Sequence, residues 1–398
     1  MILDPRLNPN GRRGFLRSAC RHCLALGALS TGVATLAAED DNLIPPRFTR
    51  PSPESDEAGL WALMDREEAR VRKSPLTVKD EGLTTYLQDL VKRLAPAHSP
   101  DIRPHTVRMP LFNAMMAPNG MMIVWSGLLL RVENEAQLVA VIGHELGHYL
   151  ERHSVEQLRL ARNHAIVAQL AGLIGGLGGV AGQIGVLASM FAFSREHESR
   201  ADRLGMRLMK HAGYDGRQAP VVWENLLAEL KVTGGEEAGS RQDIFATHPT
   251  TAGRRDELRQ MAGNQGGDLG TERLRKAIAA QRFGWLQDEI KRGQYEESLV
   301  LLDRMVARDA QDVEALYARG EVYRLRDEGA DASRALADLN LASQFKAPPA
   351  ETFRSLGLMH QQRRDTVNAV ANFEQYLIKA PDAADAGLVR GYLTDLKP

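Results

Sequence analysis

The string His144-Glu145-Leu146-Gly147-His148 holds the residues of this chain best suited to chemistry. Histidines at i and i+4 project from one face of a helix, close enough for two neutral imidazoles to bind one ion. Glu145 sits about a third of a turn away, where a carboxylate reaches a metal-held water without being a ligand itself. The chemistry this spacing suits is metal-assisted hydrolysis. By chance a chain of this composition holds about 0.04 His-acid-x-x-His strings, so the reading needs support from the elements around it.

That support is present on both sides. Asn134 with Gln137 predicts an N-cap and capping box, and Val139, Ile142, Leu146, Tyr149 and Leu150 form an apolar stripe at helical spacing. The histidines fall off that stripe, which predicts a packed helix with its polar pair on a separate line. Upstream, Glu57 to Leu94 reads as helical, with Leu83, Tyr86, Leu87, Leu90 and Leu94 marking a second amphipathic helix. Residues 105–127 read as β structure, with apolar runs either side of the turn signal Pro118-Asn119-Gly120. Met121, Met122, Ile123, Val124 and Trp125 read either as an edge strand that takes an extended substrate by backbone pairing or as an ordinary interior strand.

Two histidines alone do not hold zinc; a third protein ligand is required, with the fourth position left for water. Phe193 to Asp202 is the best source, beginning a helix in which Glu198 and Asp202 stand at i and i+4. One carboxylate can ligate while the other receives the N–H of a ligating imidazole.

The 398 residues are 43% hydrophobic with a formal net charge of −1, which fits a globular chain of two or three domains. That charge balance argues against general nucleic-acid binding. Residues 1–38 read as an export signal: Arg12-Arg13 followed by Phe15-Leu16 resembles a twin-arginine signal, and a charge-free stretch leads to small residues near Ala37. Both cysteines, Cys20 and Cys23, lie within it, so the mature chain is expected to lack thiols and disulfides. Residues 39–56 are Pro- and acid-rich and read as a linker. Ala165 to Phe193 contains no charged residue but is broken by glycines, which favours short apolar helices covering a cleft or touching a membrane surface over a spanning helix.

After residue 263 the pattern turns to paired helices, with 263–282 expected as a linker and 283–398 as repeats. Phe353, Leu356, Gly357, Ala369, Phe373 and Pro381 fall at the spacing of a tetratricopeptide unit. Leu316, Gly320, Tyr323, Ala335, Leu339 and Ala342 echo them, and Phe283–Arg308 holds a weaker copy.

HELGH, then Ser-Arg-x-x-Glu-x-x-Ala-Asp at 194–202, then His248-Pro249, together resemble the gluzincin metalloproteases of the HtpX and CAAX prenyl protease type. The repeat tail narrows the resemblance to the bacterial β-barrel assembly-enhancing kind. The resemblance implies a mainly α, zincin-like (α+β) protease domain over 57–262 with a small sheet, followed by an all-α tetratricopeptide solenoid. It implies one Zn2+ held by His144, His148 and Glu198, with Glu145 as general base and Asp202 behind the ligands. His248 would stabilise the oxyanion or close the fourth zinc position as a latch; His248→Ala would abolish cleavage in the first case and raise it in the second. Arg200 stands where this motif often has a second glutamate, and Glu196 competes less well than Glu198 because no aspartate follows it four residues on. His153, His164, His197 and His211 read as surface histidines.

The expectation is an exported, periplasmic zinc endopeptidase; the resemblance implies misfolded or stalled envelope proteins as its substrates and the outer-membrane assembly machinery as partner of the repeats. The competing expectation is a chaperone or adaptor whose metal site is latent or structural.

Overall fold

In the computed structural model the described residues are 44–160, 193–234 and 252–397. The expected export signal, the apolar stretch short of Phe193, and His248 lie outside them. Helix starts follow local chemistry. Ser55 caps α1 (Asp56–Lys73) by accepting from Ala58 N, and Asp80 caps α2 (Glu81–Leu94) by accepting from Leu83 N. Leu83, Leu87, Leu90 and Leu94 are buried at the predicted spacing. Residues 44–55 form no helix or strand, yet they are anchored: His98 Nε2 lies 2.8 Å from the Pro45 carbonyl, and Arg47 pairs with Asp101.

Three strands, β1 (Arg103–Val107), β2 (Ala114–Met116) and β3 (Met121–Trp125), form one sheet in the order β1-β3-β2. β2 and β3 are an antiparallel hairpin with Met115 opposite Ile123, and Gly120 in its turn has a φ of 90°. A Cβ there would lie 2.1 Å from the Asp101 carbonyl oxygen, so both backbone angle and space require glycine. β1 runs parallel to β3, from Arg103 opposite Met121 to Val107 opposite Trp125. The edge-strand reading is therefore overturned. Met121, Met122, Ile123, Val124 and Trp125 are the central strand, buried throughout, and both their ladder edges are taken. An added peptide strand has no place there.

The helix α4 (Glu135–Leu150), carrying HELGH, follows α3 (Ser126–Arg131). Asn134 Oδ1 accepts from Gln137 N at 2.9 Å, and Gln137 Oε1 in return accepts from Glu133 N at 2.9 Å. The expected stripe is buried, but so is the rest of α4 except Ala140. It is a central helix, not an amphipathic one. After α5 (His153–Leu160) come α6 (Arg195–His211), α7 (Gln218–Gly234) and α8 (Ala252–Ala262). α4 and α6 cross almost backbone to backbone. A Cβ on Gly205 would sit 2.8 Å from Gly143 C and His144 N, and one on Gly147 would sit 2.7 Å from the Ala201 carbonyl oxygen.

The chain from Asn42 to Pro398 is one compact unit. The stretch expected as a linker, 263–282, is irregular only to Gly270. From Thr271 it is the first half of α9 (Thr271–Lys291), whose Leu274 and Ile278 are buried in the core shared with α2 and α4. Helices α10 (Tyr295–Arg308), α11 (Val313–Arg326), α12 (Asp331–Ser343), α13 (Ala350–Gln362), α14 (Thr366–Lys379) and α15 (Ala386–Leu396) follow, each packed against the next in order. Within the α11–α12 pair a Cβ on Gly320 would lie 2.8 Å from Leu339 Cγ. Within the α13–α14 pair one on Gly357 would lie 2.5 Å from Phe373 Cδ1. Among the described residues no helix is long and apolar enough to cross a membrane.

Candidate metal centre

Ser194 caps α6 by accepting from His197 N at 3.2 Å, and the close crossing then turns Glu198 and Asp202 toward α4. His144 Nε2 and His148 Nε2 face each other at 3.0 Å. Glu198 Oε2 lies 3.5 Å from the first, and its Oε1 lies 3.5 Å from the second. One ligand atom from each of these three buried residues falls within 4.8 Å of the others, so they form a group that can hold one metal ion. Two imidazoles and a carboxylate converging in the core are the donor set of a three-ligand zinc site. The donor types and their convergence on one point fit such an ion.

The other nitrogen of His144 settles its tautomer. His144 Nδ1 is 2.8 Å from Asp202 Oδ1, an oxygen that only accepts, so the proton sits on Nδ1 and Nε2 keeps its lone pair. Burial works to raise the Asp202 carboxyl, but the His144 hydrogen bond and the Arg254 charge outweigh it and hold it down to about 2. Arg254 donates through Nε and Nη2 to Asp202 at 2.8 and 2.9 Å, and its Nη1 is 2.6 Å from Glu198 Oε2. Its guanidinium stands 5.6 Å from the Trp223 ring centroid. One cation thus offsets two buried carboxylates, a role that local spacing in the sequence does not reveal.

Glu145 is buried on α4 beside His144. Glu196 is exposed, while Glu198 is fully buried. Arg200 points away from the donors, its Nε 2.6 Å from Glu151 and its Nη1 3.2 Å from Glu156.

Two histidines expected at the surface are buried. His153 is 0% and His197 6% exposed, while His211 is exposed as expected. His153 Nδ1 lies 2.9 Å from His148 Nδ1, and its ring stacks on His197 with centroids 4.5 Å apart. Phe193 stacks on His148 at 3.9 Å. Burial, with His197 against it, pushes the His153 imidazole below its ordinary range, so it is neutral. Arg152 explains why spacing missed it. Its φ of 58° ends α4 and turns the chain back, so His153, five residues after His148, obeys no helical-face rule.

Residues 81–262, from the start of α2 to the end of α8, match the family model described as Peptidase family M48. The segment is similar to an M48 metallopeptidase domain. The M48 likeness extends to named relatives. The mitochondrial metalloendopeptidase OMA1 of Arabidopsis thaliana is 35% identical over 157 residues, covering 39% of this chain and 30% of its own. The putative beta-barrel assembly-enhancing protease of Vibrio cholerae is 26% identical over 206 residues, 48% of this chain and 42% of its own. The beta-barrel assembly-enhancing protease of Yersinia pestis is 26% identical over 256 residues, 59% and 51% respectively. The chain therefore spans from about a third to about half the length of these curated relatives.

Proposed function

We propose that this chain is an exported zinc endopeptidase that hydrolyses misfolded or stalled envelope proteins in the periplasm. The observation that carries the reading is the convergence of His144, His148 and Glu198 in the core, with Asp202 fixing the His144 tautomer. A zinc ion held by these three supplies Lewis acidity toward a scissile carbonyl and an activated water. Glu145, next to His144 in sequence, accepts the water's proton and returns it to the leaving amine. Asp202 and Arg254 hold the ligands in place. His248 is proposed to complete the site, as oxyanion donor or as latch.

The C-terminal helix pairs are proposed to be tetratricopeptide repeats that dock the outer-membrane assembly machinery. Gly320 and Gly357, at matching positions of two pairs, each make room for one large side chain of the partner helix, which supports a common repeat. Two of the relatives are named beta-barrel assembly-enhancing proteases, which supports the choice of partner.

Glu145→Gln tests the enzyme reading. The purified variant is expected to bind one zinc like wild type and to lose peptide cleavage by about 10²–10⁴-fold. Cleavage at the wild-type rate would overturn it in favour of an adaptor.

A further inference from the structure

The geometry points to His153 as the positioning residue that keeps His148 in its metal-binding tautomer. The inference rests on the metal-centre reading above and extends it to a residue outside the donor set.

His148 has two buried nitrogens and a choice between them. Its Nε2 faces the His144 Nε2 lone pair at 3.0 Å, and its Nδ1 faces His153 Nδ1 at 2.9 Å. With the proton on Nε2, His148 would donate to His144 and close the site against an ion. With the proton on Nδ1, it donates to His153 and presents an Nε2 lone pair beside Glu198. His144 has a carboxylate, Asp202, to impose its tautomer. For His148 the group that faces Nδ1 is a second imidazole.

An imidazole can accept only if its own proton lies on the other nitrogen. For His153 that nitrogen is Nε2, buried, 3.4 Å from Glu151 Oε2 and without a hydrogen bond of its own among the described residues. The carboxylate favours an N–H on that side. Arg200 holds Glu151 in place at 2.6 Å. A chain of preferences thus runs from Arg200 and Glu151 through His153 to His148. The His197 and Phe193 rings, at 4.5 Å from His153 and 3.9 Å from His148, keep both imidazoles in orientation. Arg200, where the motif often carries a second acid, takes a part in this arrangement.

The test uses the full chain and zinc alone, competed against a chromophoric chelator. His153→Leu removes the acceptor; His153→Asn keeps an oxygen where Nδ1 stands. The expected result is a zinc affinity about 10–100-fold weaker for His153→Leu, with His153→Asn close to wild type. Equal affinity in His153→Leu and wild type overturns the proposal, as does equal loss in both variants. Long-range proton–nitrogen NMR on the zinc-loaded wild type reads the tautomers directly and needs no stable variant. Protonated His148 Nδ1 and His153 Nε2 are expected, and a His153 protonated on Nδ1 overturns the proposal. A wild-type chain that fails to bind zinc overturns the metal centre itself, and the role of His153 with it.

Discussion

At the scale of single residues, Glu198 and its neighbours show how a buried acid is made tolerable. Glu198 and Asp202 are 0% and 4% exposed, and two uncompensated carboxylates there would be costly. Arg254 and His144 offset them from one side, and an ion would offset Glu198 from the other. Metal content is therefore expected to depend on Glu198 and not on the exposed Glu196. After dialysis, elemental analysis should find about one zinc per chain in wild type and Glu196→Ala, and little in Glu198→Ala. Equal zinc in all three would remove Glu198 from the donor set.

At the scale of elements, the site depends on how closely α4 and α6 approach. Gly143, Gly147 and Gly205 let two backbones meet where side chains would hold them apart. Gly205→Ala places a Cβ 2.8 Å from backbone atoms of Gly143 and His144 that cannot yield, so the helices must separate. The expected cost is about 1–3 kcal/mol in urea unfolding of the metal-free chain, together with weaker zinc binding because Glu198 moves with α6. Gly59→Ala in α1, where nothing among the described residues lies within 4 Å, is the control and should be neutral or slightly stabilising. A Gly205→Ala chain as stable as wild type would show that the crossing has room to spare.

At the scale of the whole molecule, buried charge joins the M48-like segment to the helices that follow it. Arg131 of α3 is fully enclosed, its Nε 2.7 Å from Glu229 of α7 and its Nη2 2.9 Å from Glu289 of α9. Arg304 and Arg292 are second partners of the two acids, at 2.6 and 3.0 Å. Arg131→Met is expected to destabilise by about 3 kcal/mol, the lower end for a broken buried pair because each acid keeps one cation. Adding Glu289→Gln should recover part of the loss, read as the urea midpoint. No recovery would mean that the arginine's packing, and not its charge, is what matters.

Much of the site was legible from local rules. Asn134 and Gln137 announced the start of α4, Pro118-Asn119-Gly120 announced the hairpin, and Glu198 with Asp202 announced a shared face, because capping, turn angles and the 3.6-residue period are properties of a few consecutive residues. Three matters were not local. Whether β3 had one neighbour or two depended on β1, which joins it from across the sheet. Whether 263–282 was a linker depended on α2 and α4 burying Leu274 and Ile278. Whether His153 lay at the surface depended on a reversal at Arg152 that returns it to His148. The sequence by itself determined which residues could ligate and on which helix faces they stand. Only the tertiary structure decided which faces meet, because close packing and tautomer choice are made by neighbours distant in the chain.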